Sequence, residues 1–144
     1  MRSKAPLAMM EQMVMLLVFA LAAALCLQAF VKSDRISRRS EERDKAAVLA
    51  QTAAEVIRSR GADTSDALIA AAEVLGAECE QGILWLDYDE NWNPGGDVYR
   101  LAAQGVPVET PGLWKVNVWV DSESGERVIF SLEVAWQGEV SGHG

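Results

Sequence analysis

The sequence predicts an α+β protein: a long N-terminal helix, membrane-spanning in its first half, whose rear packs on a four-stranded antiparallel sheet. Three observations predict it. An uncharged apolar run of 19 residues, Met13–Val31, lies near the N-terminus. Neither Pro nor Gly occurs between Leu7 and Arg60. Beyond Gly76 the apolar period changes from helical to alternating.

Charge follows the same division. Residues 1–60 hold ten Lys/Arg and six Asp/Glu, a balance of +4. Residues 61–144 hold three and fifteen, a balance of −12, and the two sum to the chain's −8. An acidic C-terminal part repels phosphate, which disfavours nucleic acid as a partner. The boundaries read as a flank at 1–12, a transmembrane helix at 13–31, a helix continuation at 32–60 and an extracytoplasmic α+β domain at 61–144.

The apolar run, MVMLLVFALAAALCLQAFV, has Gln28 as its one strongly polar residue. Roughly 20 apolar residues span a bilayer core as a helix, and a helix satisfies its backbone within lipid. Two other readings compete. A buried core helix needs cover on all sides, which 144 residues hardly supply. A cleaved signal peptide would use Arg2 and Lys4 as its basic region and Ala22 and Ala24 as a small-x-small site. Against cleavage, Glu11 interrupts the basic region and the run continues through Leu25, Leu27, Phe30 and Val31. A lipoprotein cut before Cys26 is disfavoured by bulky Leu25.

Orientation is balanced between two signals. Lys32, Arg35, Arg38, Arg39, Arg43 and Lys45 follow the run, and a literal positive-inside count keeps that side cytoplasmic. The acidic, Trp-rich remainder points to an exported domain. We take the N-terminus as inside, with the protein in the cell membrane as a single-pass chain.

After Val31 the charges alternate in sign, with Glu41 and Lys45 at i,i+4, as on a solvated helix. An apolar stripe follows: Ala46, Leu49, Ala50, Ala53, Val56 and Ile57 recur at three- and four-residue steps. One helix from about residue 9 to 60 would be roughly 75 Å long. The alternative is a joint near Ser33–Ser40. Thr64, Ser65 and Asp66 offer N-cap chemistry for a short helix ended by Gly76.

Strands are expected at Ile83–Tyr88, Tyr99–Ala103 and two longer segments. In the first of these, Trp114, Val116, Val118 and Val120 share the buried face. In the second, Val128, Phe130, Leu132, Val134 and Trp136 do. The link around Gly125 makes them a hairpin. The tail Ser141–Gly144 should be frayed.

No catalytic signature emerges, and the protein reads as non-enzymatic. His143 is the single histidine and lies in the tail, where nothing holds a base in geometry. There is no Gly-rich phosphate loop, and no cofactor is implied. Cys26 in the apolar run and Cys79 in the domain are not expected to pair. Asp87, Asp89, Asn91, Asn93 and Asp97 place oxygens as in a weak calcium loop. Trp92 stands where that motif needs a sharp-turn Gly, and no Glu closes it. Five tryptophans are many for this length. Trp92 and Trp119 are the candidate exposed contacts. Glu11 is the most informative single residue, since an ionisable group at the edge of a membrane helix is costly.

Arg2-Ser-Lys4, then Leu7-Ala-Met-Met-Glu11 opening an apolar segment, then one long helix and an antiparallel sheet, resemble type IV pilin-like proteins. These are pilins, minor pilins and the pseudopilins of type II secretion. The resemblance implies cleavage by a prepilin peptidase between Pro6 and Leu7. It implies that Glu11, fifth after the cut, pairs with the N-terminal amine of a neighbouring subunit. Partners would then be the lipid bilayer, homologous pilin-like subunits and pilus or secretion assembly proteins. The sequence differs in having Pro6 where the family usually has Gly, and it lacks the Phe-Thr-Leu-Ile-Glu string. A single-pass membrane protein with an extracytoplasmic binding domain, without a filament role, and a secreted module are the other readings. The mature N-terminus separates them.

Overall fold

A computed structural model describes residues 4–61, 63–122 and 125–138. Arg2, His143 and the Ser141–Gly144 tail lie outside the described residues. The chain divides into two compact units, Met1–Glu41 and Glu42–Gly144.

Helix α1 covers Ala5–Ser59 and is helical at every residue, Ser33–Ser40 included. Ala, Leu and Met are strong helix formers, and nothing between Leu7 and Arg60 breaks the ladder. In the first unit α1 buries nothing. Its most apolar 18-residue window has a mean hydropathy of 2.6 and is 0% buried. It is thus long and apolar enough to cross a membrane, and no other element among the described residues covers it. Asp34 and Arg38 pair at 3.1 Å one turn apart.

In the second unit the same helix turns amphipathic. Ala46, Ala50, Ala53, Ala54 and Ile57 are buried, while Gln51, Thr52 and Glu55 stay exposed. The buried side chains belong to one core cluster with residues of the sheet. The helix tightens at its end through Arg60 N–H to Ile57 O and Gly61 N–H to Arg58 O. Gly61, at φ 63°, then turns the chain.

Helix α2 covers Thr64–Leu75. Its N-cap is Asp63, one position before the expected Thr64–Asp66 group. Asp63 is extended at φ −61° and ψ 166°, and its carboxylate accepts the Asp66 N–H at 2.9 Å. Gly76, at φ 67°, ends the helix with Ala77 N–H on Ala72 O at 2.9 Å.

The sheet has five strands, not four: β1 Glu78–Glu80, β2 Ile83–Tyr88, β3 Tyr99–Val106, β4 Leu113–Ser122 and β5 Arg127–Gln137. They lie in the order β1-β2-β3-β4-β5, and every neighbouring pair is antiparallel. β1 escaped the sequence reading because Glu78-Cys79-Glu80 is too short to establish a period. Leu84, Leu101, Ala103, Val116, Val118 and Val120 form the buried face with Ile57, Leu68 and the helix alanines. Each fully buried branched aliphatic contributes about 1.5–3 kcal/mol.

One strand departs from strict alternation. A bulge between Val120 and Asp121 pairs Val120 with Phe130 but Asp121 with Val128, so Ile129 is an extra residue. Ile129 packs against the core and Val128 is turned outward, 58% exposed, opposite to its expected side.

Candidate functional site

The apolar half of α1 is the largest exposed hydrophobic surface among the described residues. Leu7, Met9, Met13, Leu16, Phe19, Leu25 and Phe30 are all exposed. Soluble monomers rarely leave such a surface uncovered. Pro6 and Leu7 occupy the first turn of α1, where a missing N–H costs nothing. Ala8 N–H reaches Lys4 O at 3.1 Å, so the helix is already closed around the Pro6–Leu7 bond. Glu11 is exposed one turn later, and within the described residues it has no ion-pair partner. Cys26 is exposed and Cys79 half-buried, both as free thiols, and burial pushes the Cys79 thiol up.

The acidic loop between β2 and β3 spends its oxygens on the protein itself. Asp87 binds Arg100 through both carboxylate oxygens, at 2.6 and 2.9 Å. Asp89 Oδ1 accepts the N–H groups of Asn93 and Asn91, each at 2.9 Å, and Oδ2 takes the Asn93 amide at 3.4 Å. The Asn93 backbone bond, then that of Asn91, holds the Asp89 carboxyl below its usual range. Gly96 is required here: a Cβ would stand 2.3 Å from Asp89 Cα. Asp97 lines a small cleft with Asp87, Tyr99 and Arg100. Among the described residues no group of three or more His, Cys, Asp or Glu is placed to hold a metal. Of the weak calcium candidate's oxygens, those of Asp87 are engaged in an ion pair and those of Asp89 in an Asx-type turn.

Trp92 is not a free contact. It sits at φ 63°, a rare conformation for a bulky residue. Its ring stacks on Tyr99 at 3.9 Å with planes 7° apart, and lies 6.5 Å from Tyr88. Tyr99 in turn donates its hydroxyl to Glu42 Oε1 at 2.9 Å, while Arg127 Nη2 meets Glu42 Oε2 at 2.8 Å. Burial, then the Glu42 hydrogen bond and charge, push the Tyr99 phenol up to about 12. Sequence reasoning missed this cluster, since Glu42 reads as one charge in an alternating run.

Trp119 is half-buried on the other face of the sheet. Trp85, Ala102 and Trp119 stand side by side across β2, β3 and β4, with Ala102 3% exposed between the two indoles. Trp119 Nε1 donates to Asp121 Oδ2 at 3.2 Å, and Asp121 Oδ1 is buried without a hydrogen-bond partner. Lys115 and Glu133 pair at 2.6 Å on the same face.

Comparison with protein-family models, with curated proteins and with solved structures found no match.

Proposed function

We propose that this protein is a non-enzymatic, membrane-anchored subunit that assembles laterally through the first half of α1, in the manner of pilin-like or pseudopilin-like proteins. A single observation carries the reading. One uninterrupted helix is wholly exposed and apolar in its first half and, in the second unit, lies against a sheet. An exposed apolar helix of this length is satisfied by lipid or by like helices. Glu11 in its first turns has no ion-pair partner among the described residues, and a second copy's N-terminal amine would supply one. The acidic second unit would then stand outside the membrane.

The test is chemical cross-linking of the full chain in its native membrane. Glu11→Ala is expected to lose the higher-order species while the protein stays in the membrane fraction. Unchanged cross-linking in Glu11→Ala, with the cross-link intact in wild type, overturns the assembly role. Intact mass of the mature chain adds a second criterion. A start at Leu7 supports processing, a start near Leu25 means secretion, and an intact chain means a simple anchor.

The simple anchor with a binding domain is the second reading. Trp85 and Trp119, flanking Ala102 on the sheet face away from the helices, favour it, since tryptophans are common interface anchors. It predicts that Glu11 is dispensable.

A further inference from the structure

We propose that the end of the apolar stretch of α1 holds an anionic phospholipid, its phosphate on Lys32, Arg35 and Arg39 and its acyl chain along Leu27 and Val31. This rests on the bilayer reading above, and assigns a specific ligand to the C-terminal end of the apolar stretch, away from Glu11.

Position is the first argument. The 19 residues Met13–Val31 rise about 28 Å as a helix, close to the roughly 30 Å of bilayer hydrocarbon. Lys32 then emerges at the level of the lipid phosphates. Arg35 and Arg39 follow at three- and four-residue steps, on the same face of the helix. The surface itself is the second argument. Leu27, Gln28, Val31, Lys32 and Arg35 line one open groove along the helix. It is apolar toward the membrane segment and cationic beyond it, which is the order of chain and headgroup in a phospholipid.

Charge selects the headgroup. Asp34, the nearest acid, is occupied by Arg38 at 3.1 Å. Lys32, Arg35 and Arg39 are exposed and make no ion pair among the described residues. Three unneutralised cations favour a net-negative lipid over a zwitterionic one, whose own ammonium competes for the phosphate. An acidic surface of a second copy would also meet the cations, but it would leave Leu27 and Val31 uncovered. The lipid satisfies both halves of the groove. Long Lys and Arg stems suit such a boundary, since their methylenes lie on apolar surface while the charge reaches the phosphate.

The test uses the full chain in mixed micelles of phosphatidylglycerol and phosphatidylcholine, with native mass spectrometry counting retained lipids. Wild type is expected to retain phosphatidylglycerol in preference to phosphatidylcholine. The triple variant Lys32→Gln, Arg35→Gln, Arg39→Gln is expected to lose that preference by roughly tenfold or more. A control with Arg43→Gln and Arg58→Gln, both exposed and outside the groove, is expected to keep it. No preference in wild type, or a preference that survives in the triple variant, overturns the proposal. So does a triple variant that loses self-association in phosphatidylcholine alone while wild type shows no lipid preference, which assigns the cations to a second copy. Alkaline carbonate extraction separates this from the anchor reading. If wild type is extracted, the bilayer reading fails. If wild type and variant both resist extraction without a lipid preference, only the lipid site fails.

Discussion

Tyr99 and Glu42 show how one residue pair sets a measurable property. The phenol of Tyr99 is pushed from 10.0 to about 12 by burial and by the carboxylate it donates to, and Tyr88 is pushed up by burial alone. These are the chain's two tyrosines. For a group whose folded value is raised, the stabilisation is complete below the unfolded value and is lost as pH rises through the folded one. The folded protein should therefore show little tyrosinate absorbance near pH 10, and should lose stability between there and about 12. Tyr99→Phe should remove the later ionisation step. A spectrophotometric titration with the denaturation midpoint at each pH checks both. Asp121 carries a second residue-scale expectation. Its Oδ1 is already orphaned, and Trp119 Nε1 is the bonded partner of Oδ2. Trp119→Phe should cost about 1–3 kcal/mol, read by urea unfolding, because a buried carboxylate loses that donor. Residue-scale detail was the part least legible in the sequence. Trp92 looked like a loop aromatic open to solvent. Its positive φ folds the ring back onto Tyr99, and no composition rule announces that. The acids of the loop read as a polar turn with a weak calcium resemblance, and the partner of Asp87 was hidden because Arg100, directly opposite it on β3, is 13 residues away in the chain.

At the scale of elements, period and punctuation made most of the fold legible. Gly61 and Gly76 end the two helices as expected, and the buried face of β4 follows its alternation. What failed did so for local reasons. Asp63 heads a run of four residues able to cap, and the one that is extended takes the role. β1 is too short to display a period, and the β5 bulge inserts a residue that reverses Val128. Helix α1 in the second unit gives the clearest test of packing. Ala50 is fully buried in the core cluster, so Ala50→Leu should cost about 1–3 kcal/mol through overpacking. Gln51→Leu, on the exposed side one residue on, should change stability by less than about 0.5 kcal/mol. Removing the α2 cap with Asp63→Ala should cost about 0.5–2 kcal/mol. Chemical denaturation of the three variants ranks them.

For the whole molecule, the −8 of the composition is a sum over unlike parts, and the apolar half of the residues is likewise two populations. One is the uncovered stretch of α1 and the other a small core between helices and sheet. All five tryptophans lie in the second unit, so near-ultraviolet circular dichroism reports on that unit's folding. A chain beginning at Lys32 should therefore partition into the aqueous phase of a detergent phase separation and keep the near-ultraviolet spectrum of the full protein. A collapsed spectrum in the shortened chain would show that the apolar stretch is needed for the second unit to fold.

The strand order carries a kinetic consequence. Every strand pairs with its neighbour in the chain, so the sheet closes through short loops, one hairpin after another. The links between α1 and the sheet are of another kind: Glu42 meets Tyr99 across 57 residues and Arg127 across 85. Closing such long loops costs more chain entropy than closing a hairpin. In a chain made from its N-terminus, the alanine face of α1 emerges early and waits for β5, which is made last. That interval is when the nascent protein is most open to a chaperone or to the same face of a neighbouring chain.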